Sequence, residues 1–282
     1  MSAEEYKYEY FNVTFPKEYV AHVEINRPEK LNAFVEKMWL NLSAILTRLS
    51  TTPTVRAILL TGAGPRAFTA GLDVTAASQS GILASSTSPL DPARHAFHNL
   101  THITEFQSCI SALERCAKPV IAVLHGIAYG LAIDLSLACD IRLCAADASF
   151  AVKEVDIGIA ADIGTLTRLP KSVGSASWAK DVALTARVFG ADEALAQGFV
   201  SEVHPGKEEA VAAGLAKAAL MAEKSPVAVQ GTKELLNYSR DHTTEEGLRY
   251  TAVWNSAMLQ TNDIKDALMS GLKKTKPKFA KL

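Results

Sequence analysis

The longest apolar segment of the chain, VIAVLHGIAYGLAIDLSLA at 120–138, limits the possible folds more than any other feature of the sequence. Its length approaches that of a membrane-spanning helix, which needs about 20 apolar residues. However, His125, Asp134 and two glycines interrupt it, and a charged side chain inside a bilayer is costly. We therefore predict a buried strand, a turn and a buried helix here, and no membrane span.

Strand-like and helix-like segments alternate along the first 205 residues. Segments 19–26 and 55–60 have the β-branched and apolar content of strands, and 35–50 between them carries one apolar stripe at helical spacing. The sequence predicts further strands at 119–126, 140–145 and 149–152, and further helices at 106–116 and 130–138. Strands that are apolar on both faces and alternate with helices are typical of a mostly parallel sheet covered by helices. The predicted fold class is therefore α/β.

The last part of the chain is predicted to contain helices only. Ser225 followed by Pro226, and Thr261 further on, have the residue types that begin helices. We predict a core over residues 1–205 and a helical C-terminal region over 206–282 that packs on this core or on a neighbouring subunit and takes part in oligomerisation.

Charge and cysteine content argue against several classes of function. The 29 basic and 30 acidic residues leave a net charge of -1, so no chain-wide field would attract nucleic acid or an anionic membrane. The four cysteines lack the CxxC spacing of zinc and redox sites. We therefore expect reduced, buried cysteines, no nucleic acid partner and no metal.

Two short motifs resemble sites of other protein classes. GAGPRA at 62–67 matches a dinucleotide-binding fingerprint, but Pro65 and an extended segment follow where that fingerprint needs a helix. His98 and His102 are four residues apart, with His95 before them, as metal ligands on a helix would be. No glutamate forms an HExxH motif with them, so we interpret these histidines as one face of a helix.

Three segments combine small or apolar residues with a turn, an arrangement that leaves backbone amides free to bind a ligand. They are AFTAGLDV at 67–74, HGIAYGLAID at 125–134 and KEVDIGIAADIGTL at 153–166. Together with INRPEKLNAF at 25–34 and KPVIAVLHG at 118–126, they resemble the enoyl-CoA hydratase/isomerase (crotonase) superfamily. The resemblance implies a crotonase-type spiral of ββα repeats followed by a helical C-terminal region.

The resemblance also implies how a site of this kind works. Such proteins stabilise the enolate of a coenzyme A thioester with two backbone N–H groups, each contributing about 3 kcal/mol. By position, these donors are the amides of Leu72, with Ala70, Gly71 and Asp73 around it, and of Leu131. No cofactor is implied beyond the coenzyme A that the substrate carries. The family has glycine in place of the leucine in the second loop, so a positive φ there would strain this chain.

Three carboxylates are expected to select the reaction within the family. Asp134, Glu154 and Asp162, the last of them eight residues after the glutamate, resemble the pattern of the Δ3,5-Δ2,4-dienoyl-CoA isomerase subfamily. Moving two conjugated double bonds requires removal of a proton at C2 and its return at C6, so two acid/base groups must stand apart in a water-poor pocket. Either acid could act at C2, and the family's glutamate position assigns C2 to Glu154 and C6 to Asp162. Asp134 would orient water or tune their ionisation, whereas Asp156 is interpreted as a capping or ion-pair residue.

Two other functions fit the same sequence. One is enoyl-CoA hydration or Δ3-Δ2-enoyl-CoA isomerisation, and the other is an inactive acyl-CoA-binding scaffold whose oxyanion hole Leu131 has closed. Arg27, Lys30 and Arg66 are candidates for contact with the coenzyme A phosphates, although surface solvation explains them equally well.

The resemblance implies assembly as a homotrimer or hexamer. The tripeptide AKL at 280–282 resembles a peroxisomal address, so we expect beta-oxidation of unsaturated fatty acids in the peroxisome, with an import receptor as partner. The mitochondrial matrix and the cytoplasm are the alternatives.

Overall fold

The computed structural model describes residues 6–79 and 91–282. The strands in these residues are β1 (Phe11–Lys17), β2 (Val20–Ile25), β3 (Ala57–Gly62), β4 (Ala67–Thr69), β5 (Val120–Leu124), β6 (Ile127–Tyr129), β7 (Ile141–Ala145), β8 (Ser149–Ala151), β9 (Phe189–Gly190) and β10 (Glu202–His204). The helices are α1 (Glu36–Thr51), α2 (Val74–Gln79), α3 (Pro92–Arg115), α4 (Leu131–Ala138), α5 (Thr165–Ser172), α6 (Ala176–Thr185), α7 (Ala191–Ala196), α8 (Lys207–Ala222), α9 (Pro226–Arg240), α10 (Thr244–Met258) and α11 (Asn262–Leu272).

Two sheets form the centre of the protein. The larger has strand order β1-β2-β3-β5-β7-β10, and its strands run parallel except β1, which is antiparallel to β2. The smaller has order β4-β6-β8-β9, in which β9 alone is antiparallel to its neighbour. The pairs β3/β4, β5/β6 and β7/β8 each give one strand to each sheet before the chain enters a helix. The predicted α/β class and the spiral of ββα repeats are therefore confirmed.

The apolar segment at 120–138 occupies the centre of this spiral. It forms β5, β6 and α4, and every residue of β5 and α4 is buried, including Asp134. No helix in the described part of the chain is long and apolar enough to cross a membrane. The predicted strand, turn and buried helix are therefore confirmed, with β6 forming part of the turn.

One helix is longer than its sequence pattern indicates. Helix α3 begins at Pro92, where the Asp91 carboxylate accepts a hydrogen bond from the Arg94 amide, and not near the predicted residue 106. Its buried residues begin only at Phe106, so the exposed first half carries no apolar periodicity that could reveal it. Its buried half packs on α1, where Trp39 stacks on Phe106 with ring centroids 3.9 Å apart.

The C-terminal helices contact the core through α8. This helix packs on β3, β5 and β7, and a Cβ added at Gly214 would lie 2.7 Å from Leu59 Cδ1. Ser225 and Thr261 cap α9 and α11, as predicted, with side-chain oxygens that accept hydrogen bonds from backbone amides. The division into a core over 1–205 and a helical region over 206–282 stays a prediction.

A buried ion pair fastens α9 to the core. Lys233 Nζ lies 2.8 Å from Asp140 Oδ2 and also donates to the carbonyl oxygens of Leu113 and Lys118. The same carboxylate oxygen accepts a hydrogen bond from the Val120 amide at 2.7 Å. Asp140 thus binds one strand and one helix.

We expect Lys233→Met to lower the free energy of unfolding by about 3 to 5 kcal/mol, because it leaves the buried Asp140 carboxylate without its counter-charge. Lys276→Met is the matched control, since Lys276 is 86% exposed and 3.5 Å from Glu223, and its effect should stay within about 0.5 kcal/mol. Urea unfolding of the three proteins measures both values. Equal effects of the two substitutions would contradict a structural role for the buried pair.

Candidate active site

The backbone of residues 70–73 is held so that one amide stays free. The Gly71 amide donates to Thr69 Oγ1 at 3.1 Å, and the Asp73 amide donates to the Phe34 carbonyl oxygen at 2.8 Å. In this parallel pairing the N–H of the intervening Leu72 points away from Phe34. It has no hydrogen-bond acceptor within residues 6–79 and 91–282 and is available to a ligand.

Gly71 brings this segment directly against the start of α4. Its φ is 95°, and a Cβ there would lie 2.7 Å from the Tyr129 carbonyl oxygen and 3.5 Å from the Leu131 amide nitrogen. Only glycine permits so close an approach of two backbones. The amide of Ala70, which donates to the Leu31 carbonyl oxygen at 2.9 Å, fixes the other end of the segment.

Leu131 begins α4 without the strain that its replacement of glycine suggests. The positive φ of this loop, 54°, falls on the preceding Gly130, and Leu131 is not among the described non-glycine residues with positive φ. The first amides of a helix have no partner inside the helix, and its positive dipole end favours negative charge. The Leu131 N–H is therefore available beside the Leu72 segment.

Asp134 lies in the first turn of α4 and is almost completely buried. Its Oδ1 accepts hydrogen bonds from the Thr165 amide at 2.6 Å and the Thr165 hydroxyl at 2.7 Å. Burial, together with the charge of Glu154, raises the pKa of Asp134 to about 7 against the two hydrogen bonds. Asp134 is thus a carboxyl that changes its charge near neutral pH.

Glu154 faces the start of α4. A Cβ on Gly130 would lie 3.5 Å from Glu154 Oε1, and the buried Oε2 has no hydrogen-bond partner within the described residues. Burial raises the pKa of Glu154, and the charge of Asp162 adds to this effect. A buried carboxylate oxygen without a partner beside two free amides is suited to accept a proton from a bound ligand.

Asp162 is nearer the surface than predicted. Its side chain is exposed, as are residues 157–160 before it, so this single chain does not enclose the loop that carries it. The water-poor environment predicted for Asp162 therefore stays a prediction. Its charge still influences Glu154, and its backbone carbonyl accepts a hydrogen bond from Gln107 Nε2 of α3 at 2.5 Å. The fold thus brings Asp134, Glu154 and Asp162 into one region.

The raised pKa of Asp134 makes stability depend on pH. A carboxyl that binds its proton more tightly in the folded chain stabilises fully below about pH 4, and this contribution is lost as the pH rises through about 7. Asp134→Asn keeps an oxygen acceptor for Thr165 but cannot ionise. We expect its stability relative to the parent protein to increase by roughly 2 to 4 kcal/mol between pH 4 and pH 8.

Urea unfolding at both pH values measures this change. Asp156→Asn is the control, because Asp156 is an exposed residue paired with Lys153 at 2.8 Å, as its interpretation from the sequence required. A stability difference for Asp134→Asn that does not vary with pH would show that Asp134 has an ordinary pKa.

Arg27 has a structural use close to the Leu72 segment. Its Nη1 lies 2.8 Å from Asp73 Oδ2, and both side chains are mostly buried. Asp73 Oδ1 accepts the Ala76 amide at the start of α2, and this bond and the Arg27 charge hold the pKa of Asp73 below its usual value. Arg27 therefore fixes the segment rather than standing free for a phosphate, and Arg66 donates to the Pro28 carbonyl oxygen.

The cysteines and the histidines at 95, 98 and 102, which the sequence does not favour as metal ligands, form no metal site in the described part of the chain. The four cysteines are all free and buried. His102 lies on α3 and packs edge-on against Trp39. Within residues 6–79 and 91–282, no cluster of three histidine, cysteine or carboxylate side chains could hold a metal ion.

The sequence does not identify two side chains of the site. Thr165 binds Asp134, and Arg168 lies one turn further along α5, where its charge opposes the rise in the pKa of Asp134 that burial causes. The segment TLTRLP contains no spacing typical of a functional motif, so only the fold reveals these contacts.

Comparison with known proteins shows which family this chain resembles. The family model described as enoyl-CoA hydratase/isomerase matches residues 16–281. A mitochondrial Δ(3,5)-Δ(2,4)-dienoyl-CoA isomerase of Homo sapiens is 47% identical over 262 residues, which cover 93% of this chain and 79% of that protein. A peroxisomal protein of the same name from Arabidopsis thaliana is 44% identical over 263 residues, 93% of each chain.

A solved structure has the same fold over almost the whole length. The crystal structure of an enoyl-CoA hydratase from Bacillus anthracis superposes with a TM-score of 0.86 at 26% identity, covering 96% of this chain and 99% of that one. The match of the family model and the two isomerases together confirm the resemblance found in the sequence. The chain belongs to the enoyl-CoA hydratase/isomerase family.

Proposed function

We propose that this protein is a Δ3,5-Δ2,4-dienoyl-CoA isomerase, which moves the conjugated double bonds of a 3,5-dienoyl-CoA to positions 2 and 4 during fatty-acid beta-oxidation. The relatives that carry this name support the choice of substrate. The observation that carries the proposal is the buried Oε2 of Glu154, which has no hydrogen-bond partner in the described part of the chain and belongs to a side chain beside the start of α4. A free carboxylate oxygen next to free backbone amides matches a reaction that removes a proton from a carbon beside a carbonyl.

In the proposed reaction, the thioester oxygen binds to the amides of Leu72 and Leu131. Glu154 removes a proton from C2, and the resulting negative charge spreads over the diene and onto the thioester oxygen, where the two N–H groups stabilise it. The returned proton comes from Asp162 and adds to C6. One proton leaves and one enters the substrate, so the two acids return to their starting states by exchange with water, which the exposed side chain of Asp162 permits. No cofactor takes part beyond the coenzyme A of the substrate.

Ultraviolet spectroscopy tests this proposal directly. A 3,5-dienoyl-CoA has no double bond conjugated with the thioester carbonyl, whereas a 2,4-dienoyl-CoA does, so conversion creates a new absorption band. We expect the purified protein to produce this band. Loss of absorption from a 2-enoyl-CoA with no effect on the dienoyl ester would instead assign a hydratase. Binding of both esters without turnover would assign an inactive scaffold.

We propose the peroxisome as the site of action and a homotrimer or hexamer as the assembly. The tripeptide 280–282 supports the first proposal, and the relatives' names include both the mitochondrion and the peroxisome. Arg56 Nη2 donates to the carbonyl oxygens of Phe279 and Ala280, so an import receptor would bind this segment after it leaves the protein surface. Microscopy of a fluorescent fusion with and without the tripeptide tests the location, and light scattering tests the assembly.

A further inference from the structure

The guanidinium of Arg168 lies beside the Asp134 carboxylate. A Cβ on Gly164 would lie 2.0 Å from Arg168 Nη1 and 3.9 Å from Asp134 Oδ1, so the guanidinium occupies the position that a side chain at 164 would take, near the Asp134 carboxylate. The Arg168 side chain is only 11% exposed. Charges interact strongly in such surroundings because little water screens them.

Contacts on α3 fix the position of this guanidinium. Arg168 Nη2 donates to Ser111 Oγ at 2.8 Å and to Glu114 Oε2 at 3.0 Å. The other oxygen of Glu114 accepts a hydrogen bond from Arg240 of α9. Arg240 and Lys171 also contact the Asp241 carboxylate, so three cations share two carboxylates in this cluster, and one positive charge is left for the carboxylates nearby.

The candidate active site needs such a charge. Burial and the Glu154 carboxylate both raise the pKa of Asp134, and the charge of Arg168 opposes them. Lys153, beside Glu154 in the sequence, is already paired with Asp156 and with the Ala186 carbonyl oxygen. Arg168 therefore supplies the positive charge near the Asp134 carboxylate that Lys153 does not supply.

We propose that Arg168 is a positioning residue that keeps the Asp134 carboxylate charged and in its hydrogen bonds with Thr165, and thereby makes Glu154 a stronger base. A negative charge at Asp134 makes the neighbouring Glu154 hold a proton more tightly once it has accepted one, which is the property of a better base. Arg168 acts through Asp134 and does not touch the substrate. This inference rests on the proposed isomerase function.

Kinetics of matched variants test the inference. We expect Arg168→Gln to lower kcat for the 3,5-dienoyl-CoA roughly tenfold to a hundredfold with little change in KM, because it disturbs the acid/base group rather than the substrate contacts. Arg168→Lys should recover part of this loss, since it keeps the charge. Arg240→Gln removes the other guanidinium from Glu114 and should leave kcat within about twofold, because Arg240 does not border Gly164.

A second measurement needs no activity. The difference in stability between the parent protein and Asp134→Asn changes with pH, and the midpoint of this change reports the ionisation of Asp134. This midpoint should move upward by about one pH unit in the Arg168→Gln background, and downward in the Glu114→Gln background, where Arg168 loses its counter-charge. The charged groups in these contacts are Glu154 and Arg168 around Asp134, Glu114 and Arg240 behind Arg168, and Asp241 and Lys171 beyond Arg240.

The outcomes separate this inference from the proposed function. If the parent protein fails to isomerise the dienoyl ester, the proposed function is wrong, and the pH midpoints still decide whether Arg168 acts on Asp134. If the parent is active but Arg168→Gln lowers kcat no more than Arg240→Gln, the inference is overturned. It is also overturned if Arg168→Gln causes the same loss in an Asp134→Asn background. If Arg168→Gln does not fold, the Glu114→Gln protein decides: a downward shift of the Asp134 midpoint supports the inference, and no shift or an upward shift overturns it.

Discussion

Glu154→Gln is expected to lower kcat for 3,5-dienoyl-CoA isomerisation by a factor of about 10² to 10⁴, the usual loss when a general base is removed. Glutamine keeps the shape of the side chain but cannot accept the C2 proton. KM should change little, because the amides that bind the thioester oxygen remain. Steady-state assays that follow the new ultraviolet band measure both constants.

The control for this substitution is Asp156→Asn. Asp156 lies two residues away in the same 3₁₀ turn but is exposed and paired with Lys153, so its loss should leave kcat unchanged within about twofold. Glu154→Gln should not unfold the protein, because it removes the desolvation cost of a charge whose buried Oε2 has no hydrogen-bond partner among the described residues. A Glu154→Gln protein with normal kcat would exclude Glu154 as the base.

The pH dependence of the parent enzyme should agree with this role. Burial raises the pKa of Glu154, and a base works only when it is unprotonated, so kcat/KM should fall as the pH drops through this raised pKa. In Glu154→Gln this limb of the pH profile should be absent from the residual activity.

Much of the fold could be predicted from the sequence because its signals are local. β3 and β5 are buried on both faces, and continuous apolar runs show this directly. The start of α3 at Pro92 was missed because the first half of that helix is exposed and its only marks are a cap and a proline. The short strands β9 and β10 have too few residues to produce a period, and pairing with distant strands creates them.

The candidate site was harder to predict, since it depends on contacts between distant segments. The positions of Leu72 and Leu131 follow from motifs. That Gly130 and not Leu131 adopts the positive φ is a property of the folded loop. The exposure of Asp162 is not evident from the sequence either, because its neighbours Ala161 and Ile163 are buried or partly buried while the apolar residues Ile157 and Ile159 before it are exposed in the single chain. The position of Arg168 beside Asp134 depends on the glycine at 164, whose role no sequence spacing indicates.

Asp162→Asn is expected to reduce kcat for the dienoyl-CoA by about 10² to 10⁴ as well, but to affect a different step. The proposed reaction uses Glu154 at C2 and Asp162 at C6. Without a proton donor at C6, the enolate can only take its proton back at C2. Asp162→Asn should therefore still exchange the C2 hydrogens of the substrate with deuterium from D₂O while it fails to form the 2,4-diene.

Mass spectrometry of recovered substrate distinguishes the two acids. Glu154→Gln should lose both exchange and isomerisation, whereas Asp162→Asn should lose isomerisation alone. The reverse pattern, with exchange retained only in Glu154→Gln, would place Asp162 at C2 and Glu154 at C6. The isomerase proposal requires a second acid at the remote carbon C6, whereas an enoyl-CoA hydratase does not. Full activity of Asp162→Asn toward the dienoyl ester would therefore contradict proton transfer between two separated carboxyl groups.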